Sequence, residues 1–534
     1  MSRTITSGTD DNGEEFVNCD GLQSTKKTDD FGRVTSINTS INSAAPFITT
    51  YQYFGGIEEN STSNTVNRLE NHYKGNCYAV YNYTYDNNGN ITQVKLNGTL
   101  ISKYTYDSLN QLYEEYDYLR GRYINYTYDN GGNIKLALES YLNSSGTIGG
   151  VCGSKNYTYG DSVWKDKLTK YGTYNITYDE IGNPLNYRDG ITFSWKNGRW
   201  LASTTLSDNT TVTYQYNANG MRTKKTVGST VTNYYYDSNN NLIGLKSGSD
   251  VAFFYYGADN SPVSMKYNNN MYYYVKNLQG DIVKILDSNG SAVASYYYDA
   301  WGTITRKTVN NTTIDTLSPF RYRGYVYDTD TGLYYLQSRY YDPQTGRFIN
   351  ADDTAFIGAT GTALSGNIFA YCENNPINKV DNYGYKAIDI SYRLLKTMIS
   401  NAKYLFSFAC WHGLFGCIGK LAILYKFYKL VKTNGKWDFK NQSSWKLKNK
   451  KDYYTFFGYK VSVADIGNIH FGFVGSVLFS WRTLCTGAGI YQIYSGTSKW
   501  SYWYSFFDDP RDTFCISIGR IFWRIFYPIC RFQW

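Results

Sequence analysis

Apolar and polar residues alternate with period two in YNYTY (Tyr81–Tyr85) and YINYTY (Tyr123–Tyr128). Alternation sends every second side chain to the same face, so these segments predict strands that carry tyrosine rings on one side of a sheet. Each runs into Asp, an Asn/Gly bend and a second alternating stretch, as in YDNNGNITQV from Tyr85, YDNGGNIKLA from Tyr128 and YDEIGNPLNY from Tyr178. Asp accepts from the amides of the bend and Gly takes positive φ, which predicts a strand-turn-strand unit. Tyr-Asp recurs at 85-86, 106-107, 128-129, 178-179, 236-237, 298-299, 327-328 and 341-342. The first three intervals are 21, 22 and 50 residues, and the third reads as spanning a diverged unit. A unit this short cannot bury a core alone, so successive units must complete one another in an extended, twisted sheet. Because the pair sits at bend after bend, turn chemistry explains it better than recognition of a sugar or peptide.

The pattern changes after Gly384. Helical periodicity is expected around Ile388–Lys403 and Leu414–Leu430, followed by shorter elements. Residues 385–534 carry 21 Lys+Arg against 7 Asp+Glu, whereas residues 1–384 carry 32 against 37, and 8 of the 12 tryptophans fall in the basic part. The chain is therefore divided into a lead-in or degenerate repeats (1–74, rich in Ser, Thr and Asn), repeats (75–319), a denser segment (320–384) and a basic C-terminal domain (385–534). The fold class expected is mostly β, followed by a small α+β or mainly α domain. Arg321, Arg323 and Arg339 are expected to pair with Asp328, Asp330 and Asp342 or to lie over rings.

Nine cysteines match no metal-ligand spacing, and reduced packing thiols are the expectation. The start, MSRTITSGTDDNGEEF, has no apolar core of a conventional cleaved signal. The apolar run Tyr404–Gly419 is short for a membrane span, so stable insertion is not expected. It and the cationic aromatic end, Gly519–Trp534, leave open a peptide-like action on an anionic bilayer.

Three segments of the basic domain invite chemistry. KLKNKK (Lys446–Lys451), with Lys448 and Lys450, suits phosphate, or is a solvated loop. In DIGNIHFGFVG (Asp465–Gly475) glycines let the chain turn or approach a neighbour closely and place Asn468 and His470 beside an apolar element. His470 is read either as a general base near neutral pH or as a structural histidine. DDPRDTFCISIG (Asp508–Gly519) clusters Asp508, Asp509 and Asp512, which either cap a helix or serve as catalytic or Mg²⁺-binding carboxylates.

The segments Gly280–Gly302 (GDIVKILDSNGSAVASYYYDAWG), Phe320–Asp353 (FRYRGYVYDTDTGLYYLQSRYYDPQTGRFINADD) and Asn367–Gly384 (NIFAYCENNPINKVDNYG) resemble the RHS/YD-repeat family over residues 75–384. That resemblance implies a hollow β shell, a repeat-associated core that seals it and a variable C-terminal segment, often a toxin, enclosed within. About 300 repeat residues are short for a complete enclosure, so the shell is expected to be incomplete or to need a companion. Some relatives cleave themselves with aspartates at two Asp-Pro-x-Gly elements; the corresponding places here begin at Asp352 and Asp381, and both lack the proline.

KWDFK (436–440), GNIHFGFVG (467–475), GAG (487–489) and DDPRD (508–512) resemble the polymorphic toxin type 44 family. The resemblance implies a nuclease toxin acting on RNA, with Asp438, Lys440, Asn468, His470, Asp509 and Asp512 as candidates. It also implies a cognate immunity protein, a secretion apparatus or companion shell protein, a secreted or cell-surface carrier, and action in the target-cell cytoplasm. No cofactor is required by this reading, apart from the Mg²⁺ alternative. A membrane-damaging effector and a non-enzymatic wall-associated protein are the competing functions.

Overall fold

The computed structural model describes residues 5–10, 14–29, 33–42, 44–55, 62–352, 357, 362–381, 388–389, 391–413, 416–432, 436–437, 453–456, 459–495, 505 and 510–531. The chain divides into two compact units, Met1–Ile357 with Ala363–Tyr385, and Lys386–Trp534 with Gly358–Thr362. Among the described residues of the first, fifteen strands β1–β15 (Ile5–Asn175) form one sheet and fourteen strands β16–β29 (Thr177–Val309) a second, each strand pairing with the next in sequence.

The turns show why the sequence folds this way. Asp86 accepts from the backbone amides of Asn88 (2.9 Å) and Asn90 (2.8 Å) and from the Asn90 side chain (2.9 Å). The same set is made by Asp107, Asp129, Asp179 and Asp237 with the residues two and four positions on. The bend needs a left-handed residue: Gly89 supplies it at φ 81°, and Asn110 and Asn240 supply it at 59° and 63°.

The preceding tyrosine adds a link between units. Its hydroxyl donates to the carbonyl that opens the second strand of the previous unit: Tyr106 to Ile91 (2.6 Å), Tyr159 to Ile134 (3.0 Å), Tyr256 to Leu242 (3.2 Å) and Tyr298 to Ile282 (2.7 Å). Tyr159 belongs to the diverged unit inside the 50-residue interval, where Gly160 stands in place of Asp. The same chemistry reaches back before Tyr85, since Asp29 accepts from the Arg33 amide (2.9 Å) and Tyr53 donates to Val34 (2.8 Å). The described residues before Tyr85 thus show the same turn and tyrosine bonds at these positions.

After β29 come a short helix α1 (Thr312–Leu317) and a four-stranded sheet, β30 (Val326–Asp328), β31 (Leu333–Tyr335), β32 (Tyr340–Asp342) and β33 (Arg347–Phe348). Its rings pack against one another, with Tyr341 and Tyr371 4.1 Å apart at their centroids. The residues that follow bond onto the ladder of turns: Asn375 to Asn90 (3.0 Å), Asn374 to Gln111 (2.8 Å) and Asn367 to Asn133 (2.9 Å). Each acceptor lies four positions after the turn aspartate of three successive units.

The arginine pairing differs from expectation. Asp328 is held by Arg222 (Nη2 at 3.1 Å) and Lys225, Asp330 by Lys225 (2.6 Å), and Asp342 by Arg188 (2.7 and 2.9 Å). Arg321 pairs instead with Asp315 (2.8 Å) and lies 4.2 Å from the Tyr296 ring centroid, while Arg323 reaches the carbonyls of Gln279, Pro376 and Ile377. Sequence proximity favoured local pairs, but the fold brings buried arginines of the repeats onto the aspartates of the four-stranded sheet.

In the second unit β34 (Ile388–Asp389) runs parallel to β35 (Tyr453–Phe456), which is antiparallel to β36 (Tyr459–Ser462). Helices α2 (Ser391–Gly413), α3 (Gly416–Val431), α4 (Val463–Gly475), α5 (Trp481–Ser495) and α6 (Pro510–Arg531) complete the described part. Their shared core includes Leu394, Met398, Phe427, Ile466, Phe473, Leu484, Ile516 and Trp523. The run Tyr404–Gly419 is divided between α2 and α3, and among the described residues no helix is long and apolar enough to cross a membrane.

Candidate functional site

The segment Asp465–Gly475, whose glycines suit a turn or a close approach, lies in helix α4. Its start is fixed by a capping box: the Ser462 hydroxyl accepts from the Asp465 amide (3.2 Å), and the Asp465 carboxylate accepts from the Ser462 amide (2.7 Å). The glycines serve close approach. A Cβ on Gly472 would collide with the backbone of Ile516 in α6, and one on Gly519 with the backbone of Ile469 and Phe473 in α4. Two helices thus touch backbone to backbone, which brings the first turn of α6 against α4.

That contact assembles a carboxylate site. Asn468 of α4 donates to Asp512 Oδ1 at 2.6 Å, and Gln492 of α5 donates to Asp512 Oδ2 at 3.0 Å. All three side chains are half-buried. Two amide donors fix the plane of a carboxylate in the first turn of a helix, where the dipole favours negative charge. Asp512 thus lies in the first turn of α6 with its carboxylate oriented by two amides.

His470 is 1% exposed and belongs to a different face. Two residues along a helix rotate the side chain by about 200°, so His470 looks away from Asn468. It meets Asn401 of α2, whose amide lies 2.9 Å from Nε2, and the Trp437 ring, 5.5 Å away edge to face. An amide nitrogen only donates, so Nε2 accepts and the ring proton sits on Nδ1. Burial drops the imidazole from its ordinary range to about 3, which keeps the ring neutral at working pH. The structure thus brings Asn468 and Asp512 together and places His470 apart. Asp438, Lys440, Lys448, Lys450 and Asp509 lie outside the described residues.

Asn401 and Gln492 were not read from the sequence. Asn401 interrupts the buried series Leu394, Met398, Ala402 and Leu405, and that polar insertion was the available signal. Gln492 follows the GAG element within an otherwise apolar stretch, but nothing in its spacing pointed to Asp512.

In the first unit the two aspartates of the self-cleavage reading contact the same arginine. Arg339 Nη2 lies 3.0 Å from Asp352 and 3.5 Å from Asp381, and its guanidinium carbon is 3.5 Å from the Phe348 centroid. Arg339 also donates to the Ile368 carbonyl (3.0 Å), and the Asp381 amide donates to the Tyr325 hydroxyl (3.0 Å). One cation spans both carboxylates, and both are buried or nearly so, at 2% and 10% side-chain exposure.

Residues 156–377 match the Teneurin YD-shell family and residues 426–523 the family called bacterial toxin 44. The chain is similar to the tRNA nuclease WapA of Bacillus subtilis (strain 168), 37% identical over 226 residues that make up 41% of this chain and 9% of that protein. It is also similar to the double-stranded DNA deaminase toxin A of Burkholderia cenocepacia (strain H111), 37% identical over 101 residues, 19% of this chain and 7% of the relative. Among solved structures, the crystal structure of TcdB2-TccC3-Cdc42 shares the fold at TM-score 0.53 and 18% identity, over 72% of this chain and 22% of the other. The matched part thus spans under a tenth of these curated relatives' length. With its ladder of Tyr-Asp turns and its glycine-packed helices, the chain is a YD-shell/RHS-family protein that carries a C-terminal domain of the bacterial toxin 44 type.

Proposed function

We propose that this polymorphic-toxin carrier bears an RNA-cleaving effector, used against competing cells from a secreted or cell-surface position and active in the target cytoplasm. The observation that carries the reading is the half-buried Asp512 carboxylate held from two sides by Asn468 and Gln492. Asp512 takes the proton of a 2′-hydroxyl, the freed oxygen attacks phosphorus, and the departing 5′-oxygen takes a proton from water. Lys440, Lys448 and Lys450 are the candidates for phosphate-binding charge, and Asp438 and Asp509 remain candidates from the family resemblance. His470, neutral and enclosed, positions α2 against α4 rather than exchanging protons. The excess of 21 basic over 7 acidic residues and the relative named a tRNA nuclease support RNA as substrate. The same basic surface suits an acidic immunity protein in the producing cell, and the shared fold with TcdB2-TccC3 supports a companion that completes the shell.

Full-length chain incubated with total RNA tests this. Cleavage that falls at least about 100-fold in Asp512→Asn, with unchanged circular dichroism, is expected; full activity in that variant overturns the assignment. Retention of activity in chelator is the expected result, and its loss transfers the role of Asp512 to Mg²⁺ binding. Dye release from anionic vesicles without RNA loss instead establishes the membrane reading.

A second activity is favoured by the Arg339 bridge. Asp352 and Asp381, 29 positions apart in sequence, share one guanidinium, and that shared contact supports the reading of self-cleavage near Gly384. A full-length chain that splits into two fragments on storage, and stays whole in Asp352→Asn, is the expected outcome. An intact wild-type chain overturns it.

A further inference from the structure

The hairpin formed by Thr62–Tyr73 (β6) and Asn76–Tyr85 (β7) carries a cluster that neither the turns nor the stitching tyrosines use. In its register His72 is the partner of Cys77, after a local shift between Asn71 and His72. Partners directly opposite in an antiparallel pair have their side chains on one face, roughly 5 Å apart at Cβ. Glu70 lies two residues before His72 and so joins the same face. The consequence is a carboxylate, an imidazole and a thiol whose ligand atoms all lie within 4.8 Å of one another.

We propose that Glu70, His72 and Cys77 form a three-ligand site for a zinc-type divalent cation. The donor set decides the class: a thiolate and an imidazole select zinc over magnesium or calcium, and a carboxylate completes a mixed S, N, O site. Donor atoms on a tetrahedron around zinc lie roughly 3.5 Å apart, so small side-chain rotations within the 4.8 Å cluster close it. Glu70 Oε2 and His72 Nε2 are already 2.7 Å apart, a hydrogen bond that the cation replaces by ligating both atoms.

The surroundings favour the bound form. Arg68 pairs with the other oxygen of Glu70 and fixes the orientation of the carboxylate, the usual part of a residue behind a metal ligand. Glu70 and a Cys77 thiolate together neutralise the two charges of the cation. The Cys77 thiol is raised above its ordinary range, by burial first and then by Glu70, so it carries its proton at neutral pH and surrenders it on binding. The site is accessible, with His72 34% and Glu70 17% exposed, and three protein ligands leave a fourth position for water or an incoming group. Rigid strands on both sides, tied to the second sheet by Tyr73 to Ser288 (3.0 Å) and Tyr78 to Gly290 (2.8 Å), hold the ligands in place.

Titration of the full chain with Zn²⁺, and with Co²⁺ as a spectroscopic probe, tests the site. The expected result is one equivalent that disappears in Cys77→Ser, at least a tenfold loss of affinity in His72→Ala, and a near-ultraviolet thiolate-to-cobalt band present in the wild type and in Cys152→Ser but absent in Cys77→Ser. Binding should also release one proton per cation at pH 7 in the wild type and in Cys152→Ser but not in Cys77→Ser. Equal Zn²⁺ binding by wild type and Cys77→Ser, or a cobalt band that survives that substitution, overturns the proposal. Retained repeat-region hydrogen-exchange protection in each variant separates loss of a ligand from loss of the fold.

Discussion

The two units keep polar groups inside by opposite means. In the repeat unit the long-range pairs bury charge against charge: Arg222 and Asp328 are 0% and 1% exposed and bonded through two atom pairs, and Arg188 grips Asp342 in the same way. In the toxin-type unit His470 is buried as a neutral ring, and Asp512 is oriented by the side-chain amides of Asn468 and Gln492. The difference follows from topology. A meander pairs strands only between sequence neighbours, so long-range ion pairs between repeat and four-stranded sheet add specificity to the ladder.

Breaking one pair should give the largest effect. Asp328→Ala leaves Arg222 and Lys225 facing a buried gap, and removal of one partner from a buried pair costs about 3–5 kcal/mol. Segment-resolved hydrogen exchange should show that loss in the repeat unit while α4 and α6 stay protected. The double variant Arg222→Met/Asp328→Leu should recover most of the loss. Equal deprotection of both units would end the contrast.

The units should also respond to pH in opposite directions. Glu115 accepts from Tyr126 (2.8 Å) and from the Ala300 amide (2.8 Å), joining the two large sheets, and its carboxyl is pushed up to about 8 by burial, then by Asp299 and Asp117, against the opposing effect of Arg120. The native repeat unit holds a proton that the unfolded chain gives up above the normal carboxylate range. Its contribution is complete below that range and is lost as pH rises toward 8. For His470 the native ring stays neutral down to about 3, whereas the unfolded ring gains its proton near 6.5. That contribution is present above 6.5 and disappears as pH falls toward 3. Between pH 4 and 8 the repeat-unit midpoint in denaturant should fall with rising pH and the helical-unit midpoint should climb, by up to a few kcal/mol each. Glu115→Gln and His470→Gln should flatten their respective slopes.

How much of this was legible differs between the units as well. Turn aspartates and left-handed glycines in the repeats act within five residues, so the roles of Asp86, Asp129 and Asp179 are legible in local sequence. The link from Tyr106 to Ile91 crosses from one unit to the one before, and the pairs Arg222–Asp328 and Arg188–Asp342 span over a hundred residues, beyond the reach of any local pattern. In the helical unit Asn468 and Asp512 stand out as chemistry-bearing residues, but 44 positions separate them and only the α4–α6 crossing shows that they meet. The glycines of α4 suit a turn or a close approach equally well, because a period of glycines fits both. Helix capping by Ser462 and Asp465 decides for the second.

Those glycines give a sharper and smaller test. Gly472→Ala must push α6 away and should destabilise the helical unit by about 1–3 kcal/mol. Gly467, on the same helix, has no neighbouring atom within 4 Å of the point where a Cβ would stand, so Gly467→Ala should stabilise by about 0.5–1 kcal/mol through helix propensity. Opposite signs from two glycines five residues apart, measured by denaturant midpoints, are expected; the same sign from both would mean that the crossing is not packed backbone to backbone.

The smallest effect isolates the stitch between successive repeat units. Tyr298→Phe keeps the buried ring and removes only the hydroxyl that donates to Ile282 at 2.7 Å. The carbonyl of Ile282 then loses that partner in the interior of the second sheet, and a neutral hydrogen bond of this kind contributes about 0.5–1.5 kcal/mol. Tyr425 of α3 is 62% exposed, so Tyr425→Phe should change stability by less than about 0.5 kcal/mol. Exchange at the strands flanking Tyr298 should quicken in the first variant, while the second matches wild type throughout. If Tyr298→Phe were silent as well, ring packing alone would hold successive units together, and the Tyr-Asp pair would matter for its aspartate rather than for its hydroxyl.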